Sequence, residues 1–142
     1  MSLVLDASMT LAWQFKRVDP AEIQLAEEAL AELASVQAFI PAMWYAEVAN
    51  GLLRGERQGV IMPTQTAFFL NKLSQTEIVT DEVSPHARQA TVLNMARTYG
   101  LTVYDATYLE LAMRRAATLA TFDRQLADAA RAAGVRVFGD AV

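Results

Sequence analysis

The chain reads as a single α/β domain in which a central parallel sheet carries helices on both faces. Three observations predict this. Short β-like runs alternate with longer helical patterns, the rhythm of βαβ units. Three apolar runs each end in an aspartate that opens a helix-like stretch: Leu3-Val4-Leu5-Asp6, Leu101-Thr102-Val103-Tyr104-Asp105 and Thr118-Leu119-Ala120-Thr121-Phe122-Asp123. No repeat, low-complexity tract or flexible linker divides the 142 residues, a length that suits one well-buried domain over 1–142.

Residues 2–5 form the first expected strand. Pro20 to about Ala34 is an amphipathic helix, with an early proline and with Ile23, Ala26, Leu30 and Leu33 at helical spacing. Ala38-Phe39-Ile40, stopped by Pro41, is a short strand. From Ala42 to about Arg57 the pattern is helical, with Gly59 as terminator, and a further helix follows Pro63. Glu77-Ile78-Val79-Thr80 is another strand, and Ser84-Pro85 begins a helix that ends near Tyr99-Gly100. The run 101–104 is read as a strand leading to Asp105, with a helix from there to about Arg115. A strand ending near Thr121, a helix from Arg124 to Ala133 closed by Gly134, and a last strand Val135-Arg136-Val137-Phe138 complete the chain.

Composition narrows the chemistry. The hydrophobic fraction of 54% exceeds the usual ~45–50%, which suggests a large core or an apolar interface. No stretch approaches the roughly 18 apolar residues of a membrane span, and the N-terminus lacks a signal-peptide pattern, so a cytoplasmic protein is expected. With no cysteine there is no disulfide or thiolate chemistry, and any metal must take oxygen ligands or the single histidine, His86. A net charge of −4 argues against nonspecific coating of nucleic acid, which depends on Lys and Arg neutralising phosphates. It leaves room for an enzyme that touches RNA briefly.

Parallel strands would deliver Asp6, Asp105 and Asp123 to the same carboxyl edge, where open α/β folds build their sites. A fourth acid, Glu47, interrupts the apolar helical stretch Met43-Trp44-Tyr45-Ala46-Glu47-Val48-Ala49. Two carboxylates about 4 Å apart repel by roughly 4 kcal/mol at an effective dielectric near 20, so such a group calls for a cation or for protonation. Mg²⁺ and Mn²⁺ prefer oxygen ligands and serve phosphodiester hydrolysis. Helix capping competes as an explanation, since Asp is a favoured N-cap residue and all three aspartates sit where a helix would begin. Ser8 and Thr121 lie two residues from Asp6 and Asp123, close enough to orient a carboxylate or a bound water. Asp128 follows Arg124 at i+4 and reads as an exposed helix ion pair. Trp13 and Trp44 read as core or interface filling.

Taken in order, Asp6-Ala7-Ser8, Glu47-Val48-Ala49-Asn50, Tyr104-Asp105-Ala106-Thr107-Tyr108-Leu109 and Leu119-Ala120-Thr121-Phe122-Asp123-Arg124-Gln125-Leu126 resemble the motifs of the PIN-domain ribonucleases, with the VapC-type toxins of toxin–antitoxin pairs nearest in pattern. The resemblance covers nearly the whole chain. It implies a metal-dependent endoribonuclease whose acidic site lies at the carboxyl edge of the strands. It assigns Asp6, Glu47, Asp105 and Asp123 to the catalytic quartet, with Asp6 and Asp105 as ligands to Mg²⁺ or Mn²⁺ and Asp123 helping to hold metal or water. Glu47 would complete the pocket and orient water, supported by Ser8, Asn50 and Thr121. The resemblance further implies an RNA substrate, homodimerisation and neutralisation by a small cognate antitoxin. Arg54, Arg57, Arg114 and Arg115 are candidates to hold RNA phosphates or acidic antitoxin residues. Two rivals remain: a PIN-like interaction module that cuts nothing, and three helix caps on an unrelated α/β scaffold. The second predicts no useful affinity for divalent metal.

Overall fold

A computed structural model describes residues 1–141. Its elements run β1 (Ser2–Leu5), α1 (Ala7–Leu11), α2 (Pro20–Glu32), β2 (Gln37–Ile40), α3 (Trp44–Arg57), α4 (Pro63–Ser74), β3 (Ile78–Thr80), α5 (Pro85–Tyr99), α6 (Val103–Arg115), β4 (Thr118–Ala120) and α7 (Arg124–Ala132). The strands form one sheet in the order β3-β2-β1-β4, with every pairing parallel. Ser2 opposes Gln37, Leu3 opposes Thr118 and Ala38 opposes Ile78, so all four strands point the same way and share one carboxyl edge.

Both sheet faces are covered. Leu3, Val4 and Leu5 are all fully buried although successive side chains of a strand point to opposite faces, and β4 is likewise buried throughout. The helices supply the covering side chains, among them Met9, Val48, Leu52, Leu109, Leu111 and Leu126. Trp13 and Trp44 do fill structure: the Trp13 indole donates to the Ala26 carbonyl at 2.9 Å and the buried Trp44 indole to Thr10 Oγ1 at 3.1 Å. No helix among the described residues is long and apolar enough to cross a membrane.

Two expected strands differ. The run 101–104 does not extend a sheet, because Gly100 ends α5 in the left-handed region (φ 65°) and Thr102 immediately caps the next helix, its hydroxyl accepting from the Asp105 amide at 3.1 Å. Asp105 is therefore a first-turn residue of α6, neither a strand end nor a cap. The last expected strand, 135–138, shrinks to one parallel bridge between Val137 and Leu119, held by Leu119 N to Arg136 O and Phe138 N to Leu119 O, both 2.8 Å.

Candidate active site

β1 and β4 lie side by side, and their carboxyl ends deliver the first two acids. Asp6 follows β1 directly and its amide donates to the Ala120 carbonyl at 3.1 Å, which ties it to the end of β4. Asp123 lies three residues beyond β4 and caps α7, accepting from the Leu126 amide at 3.0 Å. Asp6 also caps, taking the Ser8 amide at 3.4 Å. Capping and the acidic cluster are thus two uses of the same side chains. α6 contributes Asp105 from its first turn, and α3 contributes Glu47 from its own.

Asp6 is buried and held by hydroxyls. Ser8 Oγ donates to its Oδ2 at 2.8 Å and Thr121 Oγ1 to the same oxygen at 2.5 Å. Each hydroxyl in turn accepts a backbone amide from the β4–α7 loop, Phe122 N on Ser8 and Asp123 N on Thr121, both at 2.9 Å. The orientation of Asp6 is fixed by the loop that carries Asp123.

Glu47 is half-buried and is held by a residue the sequence reading passed over. Tyr108, fully buried on α6, donates its phenol to Glu47 Oε1 at 2.5 Å. Tyr108 lies three residues after Asp105, so both belong to one side of α6. That i, i+3 spacing was the available signal, hidden because a tyrosine in an apolar pattern reads as core.

Asp6, Glu47 and Asp105 all have raised carboxyls, burial being the larger cause in each, with the charges of neighbouring acids adding to it. Burial pushes the Asp105 carboxyl up from its ordinary 3.8 to about 6, and the charges of Asp123, Asp6 and Glu47 add to the rise. Burial also raises Asp6, with a contribution from Asp123 that the Thr121 and Ser8 hydrogen bonds oppose. Glu47 is raised by burial and by Asp6 against the pull of Tyr108. Among the described residues, no three His, Cys, Asp or Glu side chains stand close enough together to hold a metal ion between them. What the four acids offer is donor chemistry alone, hard oxygens whose charges act on one another, the ligand type that small divalent cations prefer.

Other expected contributors lie apart. Asn50 is exposed on α3, and no hydrogen bond among the described residues ties it to the quartet. Asp128 pairs with Arg131 at 3.1 Å, not with Arg124, and is highly exposed. Arg114 and Arg115 both reach Asp81, at 2.6 and 3.8 Å, and Arg115 stacks on Phe39. They serve the fold before any phosphate. Arg54 and Arg57 remain exposed in the last turn of α3. His86 is exposed and lines a cavity of about 400 Å³ bounded by Pro41, Val92 and Val103, which contains none of the four acids. Asp123 and Thr121 line a separate cleft of about 390 Å³ with Phe122, Arg124 and Phe138.

The PIN domain model matches residues 3–132, and the chain belongs to the PIN domain family. Among its relatives, Ribonuclease VapC3 of Pyrobaculum aerophilum is 30% identical over 138 residues, spanning 90% of this chain and 94% of that protein. Two crystal structures share the fold. PAE2754 from Pyrobaculum aerophilum superposes with a TM-score of 0.67 at 24% identity, covering 91% of this chain and 87% of that one. FitAcB from Neisseria gonorrhoeae gives 0.58 at 19% identity, covering 96% of both.

Proposed function

We propose that this chain is a metal-dependent endoribonuclease that hydrolyses RNA phosphodiester bonds and acts in the cytoplasm as the toxin of a type II toxin–antitoxin pair. The observation that carries the reading is that the charges of Asp123, Asp6 and Glu47 all act on Asp105, adding to the rise that burial gives its carboxyl. Its relative's name, a ribonuclease, supports the same reaction class.

Asp6, Asp105 and Asp123 would hold Mg²⁺ or Mn²⁺, which when bound supplies an activated water and neutralises charge on the phosphate. Ser8 and Thr121 keep Asp6 in one orientation through its Oδ2, so its outward oxygen needs no rearrangement as charge develops. Glu47 orients the attacking water and is the group placed to receive its proton, because burial and Asp6 both raise its proton affinity. No side chain need form a covalent bond to phosphorus. The exposed apolar side chains Leu53, Met62 and Phe68 offer surface to an antitoxin or to a second copy in a homodimer.

The test is cleavage of a labelled RNA panel by antitoxin-free protein in Mn²⁺ or EDTA, beside Asp105→Asn. Thr102, not Asp105, caps α6, so the substitution spares the cap. Loss of an outer-shell partner alone costs about 10- to 100-fold in such sites, so cleavage should fall by more than about 100-fold in the variant and vanish in EDTA. Equal cutting by both proteins would remove Asp105 from the site. No cutting by either across a broad panel would favour a PIN-like interaction module.

A further inference from the structure

We infer that the RNA strand runs from the acidic site along the cleft beside α7, where Arg124 holds a phosphate next to the one that is cut. The inference rests on the ribonuclease reading above. The cleft, of about 390 Å³, borders on that site, because its wall includes Asp123 and the Thr121 whose hydroxyl holds Asp6. Arg124 follows Asp123 at the first position of α7, is exposed and lines the same cleft.

The other charges of the cleft are engaged with one another or belong to the site. Glu22 pairs with Arg17 at 3.2 Å, and Asp128 and Asp140 both pair with Arg131, at 3.1 and 2.8 Å. Asp128, the acid four residues after Arg124, is therefore taken by a different arginine. Of the two arginines in the cleft wall, Arg124 is the one with no ion-pair partner among the described residues. Its position sharpens the point: a cation in the first turn opposes the helix dipole, so the fold gains nothing from a charge there. An exposed, unpaired guanidinium one residue from an acid of the site has the chemistry of a phosphate ligand. The half-buried Leu25, Phe122 and Phe138 give the cleft apolar walls, which suit a base or ribose beside that phosphate. The volume lies within the range of about 300–1,000 Å³ usual for small-ligand sites. An acidic peptide could take the same guanidinium, and the salt dependence of RNA cleavage separates the two.

Arg124→Gln removes the charge and keeps a similar helix propensity. Steady-state cleavage in Mn²⁺ of the RNA that the panel identifies, over a series of KCl concentrations, reads KM and its salt dependence for wild type and variant, and thermal melting checks the fold. The expected result is a KM about tenfold higher with kcat within about twofold, the effect of one charge-assisted hydrogen bond lost from substrate binding. The slope of log KM against log salt should be smaller by about 0.7, the loss of one phosphate contact on a single strand. An uncharged methylphosphonate at one of the two linkages flanking the cleavage point should weaken the wild type by as much and add little in the variant, because both changes remove one contact. Unchanged KM and slope in the variant overturn the inference and leave Arg124 to a carboxylate of a partner protein. A fall in kcat or in melting temperature with the slope unmoved would mark a catalytic or a structural arginine and overturns it equally. A wild type that cuts no RNA overturns the ribonuclease reading and this inference with it, whereas a wild type that cuts beside a variant of equal salt slope overturns the inference alone.

Discussion

Asp105 is the residue in which sequence position, burial and neighbouring charge meet. Its carboxyl is raised from 3.8 to about 6, so the folded chain binds that proton more tightly than the unfolded chain does. A raised folded value contributes stability that is fully present below the unfolded value and is lost as pH rises through the folded one. The metal-free protein should therefore lose part of its stability between about pH 4 and pH 6 on this account. Asp105→Asn removes the titration. Its melting temperature relative to wild type should rise across that window, with the difference greatest near pH 8 and smallest near pH 4. The variant also loses a favourable charge in the first turn of α6, a cost of about 0.3–1 kcal/mol, so the pH dependence of the difference is the test and its absolute size is not. Mn²⁺ should raise the melting temperature of wild type much more than that of the variant. A difference that stays flat from pH 4 to pH 8 would mean that neither burial nor the other three acids raise the Asp105 carboxyl.

At the scale of elements, the sequence carried most of the strands and helices but little of their arrangement. Asp6 and Asp123 were legible because each follows an apolar run that does become a strand, and Glu47 because it breaks an apolar helix. Asp105 was legible as a residue and misplaced as an element, since Thr102 and Gly100 start a helix four residues after α5 and leave no length for a strand. The sheet order had no sequence signal: periodicity reports which side of an element is buried, not which neighbour buries it. The seat of α3 was equally hidden. A Cβ on Gly55 would stand 2.4 Å from Phe15 Cζ, and one on Gly51 would stand 2.4 Å from Leu11 Cδ1, so these glycines let α3, and Glu47 with it, approach the segment that follows Asp6. Alanine gains about 1 kcal/mol in helix propensity at either position, but overpacking costs about 1–3 kcal/mol. The rigid ring of Phe15 yields less readily than the end of Leu11. Gly55→Ala should thus be destabilising by about 1 kcal/mol or more in urea unfolding, and Gly51→Ala should be the milder. A Gly55→Ala protein as stable as wild type would show that α3 has room to spare.

Across the whole molecule, the heaviest ionic investment lies away from the acids. Arg114 reaches Asp81 at 2.6 Å and the buried Glu110 at 2.9 Å, and Arg88 reaches Glu110 from α5 at 2.9 Å. The network ties the end of β3, at the sheet edge, to α5 and to the helix that carries Asp105 and Tyr108. Burial alone would push the Asp81 carboxyl up, but the hydrogen bonds and charge of Arg114, with Arg115, outweigh it and hold Asp81 below its ordinary range. Arg114→Met keeps the packing of the stem and removes the charge. It leaves Glu110 with Arg88 alone and Asp81 with Arg115 at 3.8 Å. Removing one partner of a buried pair costs about 3–5 kcal/mol, and partial exposure here places the expected loss nearer about 2–3 kcal/mol at pH 7. A lowered carboxyl contributes stability that is present above its unfolded value and is lost as pH falls through its folded value. The deficit should accordingly narrow below about pH 4, where protonation relieves the acids that Arg114 no longer balances. Urea unfolding at pH 7 and at pH 3.5 reads both quantities, and Mn²⁺ calorimetry at pH 7 reads the site. Unchanged Mn²⁺ affinity beside a large loss of stability would assign the network to the frame. A matching loss of affinity would show instead that the position of α6, and so of Asp105, is set from the far edge of the sheet.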